Sequence, residues 1–289
     1  MAKCRAAAWT VWACIAPAGF ARRFVMGGST IVVGWGLGFA LLALTALTVA
    51  VATAGRLGVS VASVVAVGRA VAQLAVVSGV IVAVVESWPA TVAFVALMFG
   101  VASWTSGRRM TRDHTGWAAA LPILAGTVPV LVIVAGTGAV PLRGIAVVPV
   151  AGIVIGGAMT ATSLAGRRAL DQLTERRGEY EAALSLGFLD RDAAIEVIRP
   201  SARDALVPAL DQTRTVGLVT LPGAFVGVLL GSGDPVQAGA AQVLVLAGLL
   251  AAETIAVLAT VELIARGRIR RADSPGSART ARARKLVRR

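Results

Sequence analysis

Seven runs of almost uninterrupted apolar residues constrain this chain more than any other feature. They fall at 31–54, 61–85, 88–104, 116–135, 145–165, 215–230 and 240–264. A helix needs about 20 consecutive apolar residues to cross the ~30 Å hydrocarbon core of a bilayer, and most of these runs approach that length. Backbone N–H and C=O groups find no water in lipid, so only helices and closed barrels cross it. The runs are continuous rather than alternating in polarity, which selects helices. Composition agrees. Hydrophobic residues make up 57% of the 289, charged residues 15%, and the mean hydropathy is +0.80, a balance rare in water-soluble domains. The expected fold is all-α: a polytopic integral membrane protein with about seven transmembrane helices and a cytoplasmic helical elbow.

The net charge of +13 would suit a nucleic-acid partner if it formed one patch. It lies instead in the connections between spans, so no nucleic acid is expected and the lipid membrane is the natural surrounding. Arg108, Arg109 and Arg112 lie in the loop 105–115, eight arginines in 167–214, and ten Lys/Arg from residue 266 onward. The opposite connections hold Glu86, Arg143 and Asp234. Two spans separate each neighbouring pair of basic segments, so the three share one face. The positive-inside rule makes that face cytoplasmic and puts the C-terminus inside a cell membrane crossed several times. With seven spans the N-terminus falls outside, and Arg22 and Arg23 are the one misfit.

The chain divides into an N-terminal extension (1–25), a transmembrane domain (26–265) carrying a cytoplasmic elbow at 167–213, and a basic tail (266–289). The extension fits three readings: a cleaved signal ending near Ala16-Pro17-Ala18, sequence upstream of a true start at Met26, or an interfacial helix anchored by Trp9 and Trp12. The tail has no apolar period and is expected to be disordered, lying against anionic headgroups.

The segment 167–214 is the only long polar stretch inside the apolar region, and it carries nine acids beside its arginines. Leu170, Leu173, Tyr180, Ala183, Leu184 and Leu186 recur at helical spacing. Gly187 follows where a C-terminal cap belongs, and Asp190 is placed to cap a second helix. Ala193, Ala194, Val197 and Ile198 give that second helix an apolar face, and Pro200 is expected to bend or end it. Within this elbow, Glu181, Ala182 and Ala183 are followed by Gly187 at the seventh position and Pro200 at the twentieth. The spacing resembles the EAA loop of ABC-transporter permeases, with Val197 and Arg199 in place of that loop's isoleucine and leucine. The resemblance implies a coupling element that docks into a groove of a separate ATP-binding subunit. The plainer reading is an ordinary amphipathic hairpin.

Polar groups inside the spans are the other candidates. Arg69 and Gln73 lie one turn apart in the second span, and Glu253 lies midway through the seventh. A charge in hydrocarbon costs at least a few kcal/mol unless it is paired or faces a wet path. Two readings stay open: an Arg69–Glu253 ion pair, or a polar lining of a translocation path. Met159, Thr160, Thr162 and Ser163 add a thioether and three hydroxyls in the fifth span, for packing or as a weak polar track. Glycines recur every four residues at Gly34 and Gly38, at Gly152 and Gly156, and at Gly223, Gly227 and Gly231. Such stripes let helices approach closely, within one subunit or between two.

Several chemistries are excluded. A P-loop needs a lysine after a glycine-rich turn, and the only lysines, Lys3 and Lys285, follow none. The single histidine, His114, has no nucleophile elbow near it. Cys4 and Cys14 form no CxxC and no Cys/His cluster, so no metal site is expected. Catalytic residues are therefore not expected.

Three stretches resemble one family. They are RAVAQL at 69–74, GGAMTATSLAGRRALDQLTERRGEYEAALSLG at 156–187 and ALVPALDQTRTVGLVTLPGAFVGVLLGSGDP at 205–235. All three are similar to the Fet-type ABC permeases, the bacterial iron-export permeases and their plant relatives. The similarity spans roughly 31–264 and follows a seven-span plan. It implies a permease that dimerises with itself, exports a metal ion, most often iron, and is driven by ATP bound on a separate subunit, with no cofactor in this chain. Carried over residue by residue, Glu181, Ala182, Ala183 and Gly187 form the coupling elbow. Asp211, Arg214, Thr215, Gly217, Pro222 and Gly223 lead into the sixth span. Glu253 lies outside the stretches that carry the resemblance. A non-transporting scaffold or sensor that holds a cytoplasmic partner through the same elbow is the alternative.

Overall fold

A computed structural model describes residues 34–271 of the chain. They fall into two units that divide between Val80 and Ile81. The N-terminal extension and residues 272–289 of the tail lie outside the described residues, as do residues 31–33 of the first expected span.

The first unit holds α1 (Trp35–Ala54) and most of α2 (Ser60–Glu86). Threonines inside α1 return their hydroxyls to the helix: Thr45 donates to the Leu41 carbonyl at 2.7 Å and Thr48 to that of Leu44 at 2.9 Å. This satisfies polar atoms that lipid would leave bare. The corner between the helices passes through Arg56 and Gly58 at φ +51° and +69°.

The second unit continues with α3 (Trp88–Met110), a 3₁₀ turn (His114–Ala119), α4 (Ala120–Gly136), α5 (Gly144–Glu175), α6 (Arg177–Ser185), α7 (Asp190–Ala205), α8 (Val207–Thr215), α9 (Gly223–Ser232) and α10 (Pro235–Ala265). The described residues contain no β-strand, only an isolated bridge between Val216 and Thr220. Helix α10 is the central post and packs against α4, α5, α7 and α9. Asp234 caps its start, accepting from the Val236 and Gln237 amides at 2.8 and 3.4 Å, with Pro235 in the first turn where no N–H is missed.

The core between these helices is built largely from alanine. Ala151, Ala158, Ala252 and Ala256 are fully buried. Small side chains let helices close up where lipid supplies no hydrophobic drive. Close approaches occur at Gly126, where a Cβ would run into the Ala252 carbonyl of α10, and at Gly157 and Gly166 of α5, where it would meet Leu249 and Met110. The expected stripe at Gly223, Gly227 and Gly231 behaves differently, since a Cβ at any of the three would meet nothing within 4 Å.

Six helices among the described residues are long and apolar enough to cross a membrane, the 3₁₀ turn and α4 counting as one. The expected sixth span, 215–230, is not a continuous helix. Residues 216–222 are irregular, and α9 has only 10 residues, about 15 Å at 1.5 Å per residue and half the hydrocarbon thickness. Gly217 at φ +82° and Pro222 interrupt the helix that hydropathy alone suggests. The helix that holds the fifth span continues beyond it: α5 is 32 residues long and ends at Glu175, inside the elbow.

Candidate functional site

The elbow begins where α5 leaves the apolar core. Leu170 and Leu173 still point inward and pack with Tyr180 of α6 and with Ala193, Val197 and Ile198 of α7. Val257, Val261 and Ile264 from the last turns of α10 complete the cluster. The apolar stripe read from the sequence, Leu186 excepted, is therefore the face that seats the elbow on the transmembrane helices.

Ion pairs fasten its edges. The Arg191 guanidinium grips Glu262 of α10 with two bonds, 2.7 Å from Nε and 2.9 Å from Nη2. That hydrogen-bonded carboxylate raises the Arg191 pKa above its ordinary value. A two-pronged guanidinium–carboxylate contact is stronger and more directional than a single bond. Arg271 reaches Asp171 of α5 at 2.6 Å and the Met110 carbonyl of α3 at 3.0 Å. The Thr115 hydroxyl and the Arg270 amide meet at 3.2 Å. The loop at 105–115, the elbow and the start of the tail thus share one face, as the charge pattern predicts. Residues 266–271 belong to this folded unit, with Ile269 fully buried.

The turn between α6 and α7 is sharply defined. Gly187 has φ +92°, the left-handed region that glycine enters without steric cost. Its amide donates to the Leu184 carbonyl at 3.0 Å, and the Phe188 amide donates to that of Ala183 at 3.1 Å. These two bonds are the Schellman ending of a helix. Around the turn, Leu186 is 80% exposed, Leu189 72% and Phe188 49%. The sequence reading does not single out this apolar trio. The signal was three large apolar residues flanking a cap glycine inside a charged segment. Glu181 is exposed and accepts from Arg177 at 2.8 Å, Ala182 is exposed, and Ala183 is half-buried against the elbow core. Asp190 opens α7 at its first helical position, and Leu189, not Asp190, occupies the cap. Pro200 does not end α7, which continues five residues to Ala205.

The lead into the sixth crossing is a second shaped segment. Asp211 and Arg214 lie on α8, 3.8 Å apart and exposed. Thr215 ends α8, and its carbonyl accepts from the Val219 amide at 3.0 Å. Gly217 donates back to the Thr220 carbonyl at 2.9 Å, and Pro222 precedes Gly223, the first residue of α9. The start of α9 has no cap of its own. The side chain of Gln242, buried in α10, supplies one, its Oε1 accepting from the Phe225 amide at 3.1 Å. This contact is invisible in the sequence, where Gln242 is one amide in an apolar run. Beside α9, a cavity of about 970 Å³ opens between α4, α5, α9 and α10, with Gly223, Gly227 and Gln237 in its lining.

The remaining candidates lie on α2, α5 and α10. Arg69 and Gln73 sit exposed on α2 in the first unit. Glu253 is 9% exposed on α10 in the second, its carboxylate lying against Gly157 of α5. No ion pair among the described residues of that unit involves Glu253. Met159 is half-buried, and Thr160 is exposed with its hydroxyl returned to the Gly156 carbonyl at 2.9 Å. Thr162 and Ser163 are buried between helices. Ser163 reaches Ser106 of α3 at 3.1 Å, a packing contact rather than a polar track. No group of three or more His, Cys, Asp or Glu able to hold a metal occurs among the described residues.

Sequence comparison follows the same outline. The family described as "Uncharacterised protein family (UPF0014)" matches residues 35–269, from the first residue of α1 to the buried Ile269. This chain belongs to the UPF0014 family. Among its relatives, the "UPF0014 membrane protein STAR2" of rice (Oryza sativa subsp. japonica) is 32% identical over 248 residues, 85% of each chain. The "Probable iron export permease protein FetB" of Escherichia coli is 30% identical over 198 residues, covering 66% of this chain and 75% of that protein. The "Protein ALUMINUM SENSITIVE 3" of Arabidopsis thaliana is 31% identical over 57% of this chain and 61% of its own length. No solved structure matches. Membership and the six long apolar helices together make this UPF0014 chain a multi-pass membrane protein.

Proposed function

We propose that this chain is the membrane permease of an ABC exporter, with the α6–α7 turn docking onto a separate ATP-binding subunit. The observation that carries the reading is the trio Leu186, Phe188 and Leu189, held out from the elbow around a left-handed glycine. Three large apolar side chains presented by a charged segment mark a protein-binding surface. The basic face is the cytoplasmic one, since arginines concentrate there, so the turn faces the compartment that holds ATP. The chain itself is not an enzyme in this reading and binds no cofactor. The ATP is the partner's.

The broken sixth crossing supports transport. Irregular backbone at membrane depth is tolerated where it lines a cavity, and transporters build their paths from interrupted helices. A second copy of the chain, closing over the unpacked glycine face of α9, completes the assembly. The cargo is a metal ion and, by the relation to the Escherichia coli protein, iron.

The test is co-expression with a candidate ATP-binding subunit. Leu186→Asp combined with Phe188→Asp leaves insertion intact and abolishes co-purification, and ATP hydrolysis in lipid falls to that of the subunit alone. A double variant that still binds and stimulates its partner removes the docking assignment. ATP-dependent iron uptake into inverted vesicles tests the cargo.

A further inference from the structure

A groove of about 510 Å³ runs between α7 and the outer turns of α10. Ile195, Ala202 and Leu206 wall it on the α7 side, and Val257, Leu258 and Val261 on the α10 side. Its rim is charged, and the charges are not equivalent. Arg191 is engaged with Glu262 and Asp192. Glu196, Arg199 and Arg203 also line the groove and form no ion pair among the described residues. The unengaged charge is one net positive, with both guanidiniums exposed and one helical turn apart, close enough to converge on a single group.

Depth decides what meets this groove. Helices α5 and α10 run side by side in the same direction, Gly157 against Leu249 and Gly166 against Thr260. Counted from their far ends at Gly144 and Pro235, a hydrocarbon core of about 20 helical residues ends near residue 164 on α5 and near residue 255 on α10. The groove uses α10 from Thr254 to Glu262, just beyond that limit. The contact between Arg168 of α5 and Asp204 of α7 at 4.0 Å lies at the same level. The groove therefore occupies the headgroup layer. Its deep end is apolar, and Leu258 there is 70% exposed.

We propose that this groove binds an anionic phospholipid, its phosphate held between Arg199 and Arg203 and one acyl chain laid along Leu206 and Leu258. Guanidinium pairs phosphate oxygens two at a time, and the single net positive charge matches a headgroup with one negative charge, such as phosphatidylglycerol. Glu196 at the same rim disfavours more highly charged headgroups. The bound lipid wedges the elbow against α10 at the point where the bilayer ends. The assignment rests on membrane insertion and not on the cargo proposed above, and Phe188 of the docking trio also lines the groove.

Native mass spectrometry of the full chain, released from micelles holding equal phosphatidylglycerol and phosphatidylcholine, tests it. The wild-type protein retains phosphatidylglycerol in about 25-fold preference, and R199Q/R203Q brings the two lipids close to parity, each arginine near an anionic group being worth a factor of about five. R109Q/R112Q removes the same charge from the same face outside the groove and keeps the preference. Equal loss in the two double variants shows a general attraction to basic surface and overturns the site. Displacement of the lipid by excess inorganic phosphate shows a phosphate site without a lipid and overturns it too. A wild-type protein with no preference overturns it whatever the variants do.

Discussion

The elbow and the sixth crossing invert the usual relation between polarity and burial. Helix α7 carries seven charged residues among its 16, yet Ala193, Ala194, Val197, Ile198, Ser201 and Ala205 are buried. Helix α9 has no charged residue, yet none of its 10 residues is buried. In water the first would be the surface helix and the second the core. At a membrane the order changes, because lipid accepts apolar surface as readily as protein does. Only the elbow, standing in water on one side, gains hydrophobic stabilisation by packing. Burial marks where water would otherwise be, and exposed apolar helix marks where lipid, a cavity or another chain is.

The sharpest way to break this comparison is to truncate both helices. Ile198→Ala removes a fully buried side chain from the elbow core and should cost about 3 kcal/mol, the cavity left behind adding to the lost transfer energy. Leu230→Ala on α9, where the side chain is 52% exposed, should cost less than about 0.5 kcal/mol. Thermal unfolding in detergent, followed by the chain's tryptophans, reads both. Equal losses would mean that the crossing is packed as tightly as the elbow.

The next effect is conformational. A Cβ at Gly187 meets nothing within 4 Å, so the backbone at φ +92° is the only obstacle to a side chain. Gly187→Val should cost about 2 kcal/mol, because a β-branched residue resists the left-handed region, and Gly187→Asn should cost well under 1 kcal/mol. The ordering Gly, Asn, Val in melting temperature tests it. If valine is tolerated, the turn relaxes to another cap and no longer fixes the apolar trio.

What could be read from the sequence follows the same division. Helix existence, the shared face of the basic segments and most of the apolar stripe of the elbow were legible, because each depends on local patterns of charge and hydropathy. Gly187 was legible because a cap glycine follows its helix directly. The break at 216–222 was not. Leu218, Val219 and Leu221 are as apolar as any spanning residue, glycine and proline such as Gly217 and Pro222 are tolerated within spanning helices, and Gln242, which receives the start of α9, lies 17 residues away from Phe225. The glycine stripes leave a choice open, packing within one subunit or between two. Gly223, Gly227 and Gly231 have the spacing of a packing face and meet open space, whereas close approaches fall at Gly126, Gly157 and Gly166. Contacts between helices distant in sequence leave no local signature.

Gln242 offers a smaller, more local test. Its Oε1 satisfies one of the four amides that a helix start leaves without partners. Gln242→Leu keeps the volume and removes the acceptor, so the Phe225 amide is stranded at a cost of about 1 kcal/mol. The loss should be confined to α9. Hydrogen exchange at 223–227 should quicken several-fold, while the amides of α7 keep their protection. Spread of the effect into the elbow would show that the two regions share one cooperative unit.

The smallest effect has the opposite sign. Gly227 lies inside α9 with helical backbone and open space where its side chain would be. Glycine in a helix interior costs about 1 kcal/mol relative to alanine, mainly through the freedom it keeps when unfolded. If α9 is loosely held by its own unit, Gly227→Ala should stabilise the chain by a few tenths of a kcal/mol, the methyl pointing into the cavity beside α4 and α5. The same exchange at Gly126 should destabilise it, because there the methyl meets the Ala252 carbonyl. Measured in the monomer, the pair of opposite signs separates a glycine kept for packing from one kept for open space. A loss at Gly227 that grows with protein concentration would place a second copy against the α9 face, since a methyl there would then obstruct association rather than fill a void.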